Sequence, residues 1–191
     1  KTEKDKRLIF DAGTGIRPLG MEFMANGYKQ SNREIELFIT HRHWDHLQGL
    51  PFFIPAHSSE NNINVYWVKN IKKSLSDQQS SPNFPVLLKD MKGLKKFTNF
   101  VPGSTIYNDS NLTIETHNLN HPGGCVSYKI TEKYPGKKNK IVVFATDFEP
   151  DGGTQDRELI KWWKGAHIII ADGQYDLPES KEKKGWGHSN P

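Results

Sequence analysis

Sulfur is scarce in this chain. It has one cysteine, Cys125, and three methionines in 191 residues. A single cysteine excludes an intramolecular disulfide, and with it a disulfide scaffold or a cysteine-rich zinc module. Long apolar runs are also missing, and none approaches the roughly 20 residues that a membrane helix needs. The start, Lys1 to Arg7, lacks the apolar core of a signal peptide. The expectation is therefore a cytoplasmic protein with no membrane partner. Apolar residues make up only 35% and the mean hydropathy is −0.72, yet 11% aromatics argue against disorder. The length suits one domain over residues 1–191. The net charge of +4 is unevenly spread, with 0 over residues 1–68, +7 over 69–140 and −3 over 141–191. Such a basic middle reads first as a solvated face, and second as an attractor for a phosphate-bearing substrate.

Histidine is what the chain has in plenty. There are eight, and three fall in Thr40-His41-Arg42-His43-Trp44-Asp45-His46. Taken singly, His57, His117 and His167 read as ordinary hydrogen-bonded residues. A His-x-His-x-Asp-His string does not, because so many metal-binding side chains in six residues are rare by composition alone.

The apolar pattern alternates strands and helices. Leu8 to Phe10 reads as a strand entering the turn Asp11-Ala12-Gly13-Thr14-Gly15. Ile16, Leu19, Met21, Phe23 and Met24 sit at helical spacing, with Gly27 as the stop. Ile35 to Thr40 is a second strand that delivers the histidine cluster at its end, and Leu47 to Phe53 suggests a short helix after it. Ile63 to Val68 is a third strand, and residues 69–100 read as loop with short helices. Leu112 to Thr116 and Cys125 to Ile130 are further strands. Ile141 to Ala145 and Ile168 to Ala171 are continuous apolar runs, expected to be buried, with a helix around Leu159, Ile160, Trp162 and Trp163 between them. Pro135 to Lys140 reads as a hairpin turn. Strands with helices between them place the fold in the α/β or α+β class.

The cluster points to metal chemistry. On a strand His41 and His43 share a face, and Asp45 and His46 follow as the chain turns. Imidazole nitrogen and carboxylate oxygen suit a borderline divalent ion such as zinc. Four ligands from so short a string crowd one ion, so two ions sharing the site is the natural solution. Each then needs ligands from elsewhere. His121, before Pro122-Gly123-Gly124, and Asp147, after the strand Ile141 to Ala145, are isolated candidates at strand ends.

These segments together resemble the metallo-β-lactamase-fold hydrolases, in the branch that holds ribonuclease Z and the cyclic-nucleotide phosphodiesterase-like proteins. The carrying segments are Leu8 to Gly20, Phe38 to Gly49, Asn120 to Gly124, Phe144 to Asp147, Ile169 to Tyr175 and Gly185 to Ser189. The resemblance implies an αβ/βα sandwich of two mixed sheets flanked by helices. It implies His41, His43 and His121 on one metal, Asp45 and His46 on a second, and Asp147 bridging them. The metals would be zinc, with manganese or iron as alternatives. A further histidine from a later strand would complete the second shell, and none follows His188. Strands before Leu8 are missing too, so the chain is expected to be trimmed at both ends.

The implied reaction is attack of metal-activated water on phosphorus, with His188 as general acid, Asp172 orienting it and Asp45 serving the catalytic metals. Asp11 and the Gly13-Thr14-Gly15 turn are read as supporting the metal loop from behind. Trp44 and Trp186 lie inside motifs and could wall the pocket. The expected substrate is a cyclic nucleotide or similar small phosphodiester. The alternatives are a ribonuclease Z-type nuclease acting on RNA, a lactam or thioester hydrolase on the same scaffold, and a non-catalytic domain. A homodimer is open.

Overall fold

The computed structural model describes residues 6–25 and 34–190. The helix stop expected at Gly27 lies outside them. The chain forms two compact units, residues 1–100 and 101–191.

The first unit is built on a four-stranded, wholly parallel sheet in the order β1 (Arg7–Phe10), β2 (Glu34–Phe38), β3 (Asn62–Trp67), β4 (Leu94–Asn99). Parallel strands carry helices on their faces, so the inner ones are apolar on both sides. Ile35, Leu37, Phe38, Ile63 and Val65 accordingly have no exposed surface. Helix α1 (Ile16–Ala25) connects β1 to β2, and α2 (Ile71–Gln78) follows β3. The helix expected after the histidine cluster is a run of 3₁₀ turns instead, at Trp44–His46, Leu50–Phe52 and Ile54–His57. Pro51 and Pro55 each supply no backbone donor and keep these turns short. Strand β4 falls in the stretch expected to be loop and helix. Its Lys95 and Lys96 are exposed on the sheet edge, which hides the apolar alternation.

The second unit holds a five-stranded mixed sheet. Strands β5 (Thr105–Asn108), β6 (Leu112–Leu119), β7 (Cys125–Glu132) and β8 (Lys140–Ala145) form an antiparallel meander. Helix α3 (Thr154–Trp163) then crosses over to β9 (Ile168–Ala171), which lies parallel to β8 at the edge. Leu159 of α3 packs with Leu119, Cys125, Val143 and Ala145, and Phe148, Trp162 and Trp163 close the cluster. One expectation fails here. β9 is not buried: Ile168, Ile169 and Ile170 are 55%, 44% and 51% exposed. Hydrophobicity alone does not show that this strand stands at the sheet edge among the described residues. A short helix, α4 (Leu177–Glu182), opens on Asp176 with a capping box completed by Glu179.

Among the described residues no helix is long and apolar enough to cross a membrane.

Candidate metal centre

In the first unit, β2 ends and the chain turns through His41, His43, Asp45 and His46. The turn is locked from below by Asp11. Asp11 has a left-handed backbone, φ +63°, which a non-glycine residue holds only when its surroundings fix it. Its carboxylate accepts from Thr40 N at 2.7 Å, from Thr40 Oγ1 at 2.8 Å and from His46 Nδ1 at 2.8 Å. Burial pushes the Asp11 carboxyl above its ordinary range, and the bonds from His46 and Thr40 pull it back. Glycine is required twice in this fold of chain. A Cβ on Gly49 would collide with the carbonyl of Gly13, and one on Gly13 with the carbonyl of Asp45.

The hydrogen bonds settle which nitrogen of each ring faces forward. Thr40 has one hydroxyl proton and gives it to Asp11, so its oxygen accepts from His41 Nδ1, 3.1 Å away. His46 donates from Nδ1 to Asp11. Both rings therefore keep the lone pair on Nε2, the form that binds a metal. The His41 ring centre lies 4.5 Å from that of His43 and 4.1 Å from that of His46, and His46 Nε2 is 3.3 Å from Asp45 Oδ2. His41 is buried, while His43 and Asp45 are exposed.

The second unit gathers His121, Asp147, Asp172 and His188 from four loops. Asp147 is the other left-handed aspartate, φ +47°. Thr146 Oγ1 donates to its Oδ1. The other oxygen, Oδ2, is 3.9 Å from His121 Nε2 and 4.0 Å from His188 Nε2. One donor atom from each of the three residues lies within 4.8 Å of the others. Both histidines again donate from Nδ1, His121 to Gly187 O at 2.8 Å and His188 to Asp172 Oδ2 at 3.0 Å. Asp172 also accepts from Phe148 N, Ser189 N and Gln174 N, and Ser189 Oγ returns to its carbonyl. A cavity of about 480 Å³ opens beside His121, with Asn118, Gln155 and Glu158 on its walls.

The donor atoms of His121, Asp147 and His188 fit a divalent ion. Bonds of about 2.0–2.2 Å to nitrogen and oxygen bring ligand atoms on one ion to separations of this size. His188 Nε2 is as near Asp147 as His121 is, so its position suits a ligand as well as an acid.

Several residues that hold the site escaped the sequence reading. Thr40 is hidden as a β-former at a strand end. Glu149 accepts from Gly185 N and Gly187 N, clamping the loop that presents His188. Ser189 holds Asp172 through both its N–H and its hydroxyl, Gly187 holds His121 through its carbonyl, and Gly187 is the one whose turn is readable, as a glycine between Trp186 and His188. His57, His117 and His167 bond to the backbone at Pro51 O, Asn118 O and Ile141 N.

The chain is similar to known proteins. Ribonuclease Z of Bacillus thuringiensis (strain Al Hakam) is 26% identical over 147 residues, 69% of this chain and 41% of the relative. The chain thus spans less than half the length of the curated relatives it matches. Among solved structures, human tRNase Z, short form, superposes with a TM-score of 0.69 at 18% identity, covering 96% of this chain and 73% of that one. Yeast PDE1 superposes with a TM-score of 0.61 at 16% identity, covering 82% and 48%. These likenesses show a shared fold, the metallo-β-lactamase arrangement of two sheets with flanking helices. The model of the beta-lactamase superfamily domain matches residues 6–191, nearly the whole chain, and the protein belongs to that family.

Proposed function

We propose that the protein is a metal-dependent hydrolase of phosphodiesters, acting on a cyclic nucleotide or a similar small diester. In this reading His41, His43 and His121 hold one divalent ion, Asp45 and His46 a second, and Asp147 is shared. When bound, the ions supply Lewis-acid polarisation of phosphoryl oxygens and activation of water.

The observation that carries the reading is the pair His188–Asp172. Cleaving a phosphodiester releases an alkoxide that needs a proton, and a carboxylate–imidazole pair can supply it, whereas a thioester releases a thiolate that leaves without one. Asp172 holds His188 by Nδ1 at 3.0 Å, which fixes the ring and leaves Nε2 beside Asp147. An imidazole held in this way is suited to deliver that proton. Asp172 is itself fixed by three backbone N–H groups, so it orients the ring without moving. Among the described residues no lysine or arginine lines the cavity beside His121, which suits a small neutral substituent better than a long phosphate backbone.

A second reading is a ribonuclease Z-type nuclease. It is favoured by the sequence relatives and by the basic stretch 69–140. Turnover of bis(p-nitrophenyl) phosphate by the protein loaded with Mn²⁺ or Zn²⁺ is the expected result, with tRNA precursor tested beside it. His188→Ala is expected to slow turnover by about 10²–10⁴-fold with metal content unchanged. Loss of a metal ion in that variant makes His188 a ligand rather than the acid. Turnover of a lactam or thioester but of no diester refutes the phosphodiesterase reading.

A further inference from the structure

Trp186 is 64% exposed, yet its backbone is held on both sides. Before it, Gly185 N donates to both oxygens of Glu149, at 2.9 and 2.8 Å. After it, Gly187 N donates to Glu149 Oε2 at 2.9 Å, and Gly187 O accepts from His121. Its own N–H donates to Lys183 O at 3.0 Å. Glu149 is fixed in turn, because its N–H donates to Asn120 O and its carbonyl accepts from Asn120 Nδ2, both at 2.8 Å.

The two glycines make this possible. Both have φ +89°, a conformation closed to ordinary side chains. A Cβ on Gly187 would strike the His121 ring and Pro122. The chain is thus bent outward at Trp186 and back again at His188, so the indole stands in solvent while the next side chain but one joins the donor set. The other tryptophans of this unit, Trp162 and Trp163, instead close its apolar core.

A large aromatic ring left in water on a backbone hydrogen-bonded on both sides forgoes the burial that such residues usually gain. What it retains is a flat π face whose position costs little further entropy on binding. A purine or pyrimidine is the planar partner that phosphate chemistry brings to such a place, and every base has a face to stack.

We propose that Trp186 is a preorganised stacking platform for the base of a nucleotide whose phosphate lies at His121, Asp147 and His188, and that Glu149 is the positioning residue that fixes it. The proposal rests on the phosphodiester reading for the place of the phosphate, and it adds the recognition of the base.

The test is calorimetric titration of the full chain with adenosine 5′-monophosphate and with ribose 5-phosphate, which differ by the base alone. The wild type is expected to bind the nucleotide about 10-fold or more tighter. Trp186→Ala brings the ratio close to one, and Trp186→Phe keeps most of it. Glu149→Ala, which releases the loop, lowers the ratio, and Glu149→Gln, which keeps one acceptor oxygen, restores part of it. Each is read beside its melting temperature, which a purely structural role would lower without changing the ratio. Should Trp186→Ala fail to fold, Trp186→Leu keeps the apolar bulk without a π face and is read the same way. A wild-type ratio near one overturns the stacking role, and so does a folded Trp186→Ala or Trp186→Leu that keeps the wild-type ratio. Binding needs no turnover, so these outcomes are separate from failure on diesters, which would strike the proposed function instead.

Discussion

Four imidazoles that come from two units share one habit: each gives its Nδ1 proton to an oxygen and turns Nε2 the other way. The acceptors are a threonine hydroxyl, two aspartates and a main-chain carbonyl. This selects one tautomer before any ion arrives, and removing such an acceptor typically costs metal affinity about 10–100-fold. Asp11→Ala is therefore expected to weaken metal binding by that order in a competitive chelator titration. The same holds for Gly187→Ala, where the added methyl displaces the His121 ring, and there the fall in affinity should come with a lower melting temperature. At this scale the candidate donors are legible in sequence because His-x-His-x-Asp-His is compact. Their supports are not. Asp11 and Thr40 are 29 residues apart, and His121 and Gly187 are 66 apart. No local pattern records such pairings.

Among the elements, α3 shows what periodicity does and does not reveal. Leu159 is 6% exposed and packs into the second unit's core, while its neighbour Ile160 is 64% exposed. Leu159→Ala should cost about 2–5 kcal/mol in a urea titration, and Ile160→Ala less than about 0.5 kcal/mol. Strands β2, β3, β6, β7 and β8 were readable because burial on one or both faces writes an apolar pattern into the residues. β4 was not, since edge lysines break its pattern. β9 was readable as a strand, but its place at the sheet edge, beside β8 alone among the described residues, was not, because sheet order is a property of distant segments. The 3₁₀ turns after the histidine cluster likewise look helical in composition and are cut short by proline.

For the molecule as a whole, charge separates the two functional readings. A substrate with a single phosphate releases few counterions, so kcat/KM on a small diester should change little between 50 and 200 mM salt. A protein neutralising 6–10 phosphates of an RNA would lose about 10³–10⁵ in affinity over the same range. Metal removal is the second whole-molecule measurement. An ion that binds only the folded chain stabilises it by mass action, about 2.7 kcal/mol at 100 times its Kd. Stripping the protein with a chelator should therefore lower its melting temperature, and adding Mn²⁺ or Zn²⁺ back should restore it.

The two left-handed aspartates set a limit on improving this protein. Each holds a carboxylate where it is needed at the expense of a backbone conformation that suits glycine better. In the ion-free chain, selection for thermostability would favour glycine at position 147 wherever relaxing the backbone outweighs the contacts of the carboxylate. The same change removes the carboxylate that lies between His121 and His188. A library screened for resistance to heat in the presence of a chelator should therefore drift away from aspartate at position 147, whereas the same screen with Mn²⁺ or Zn²⁺ added should retain it.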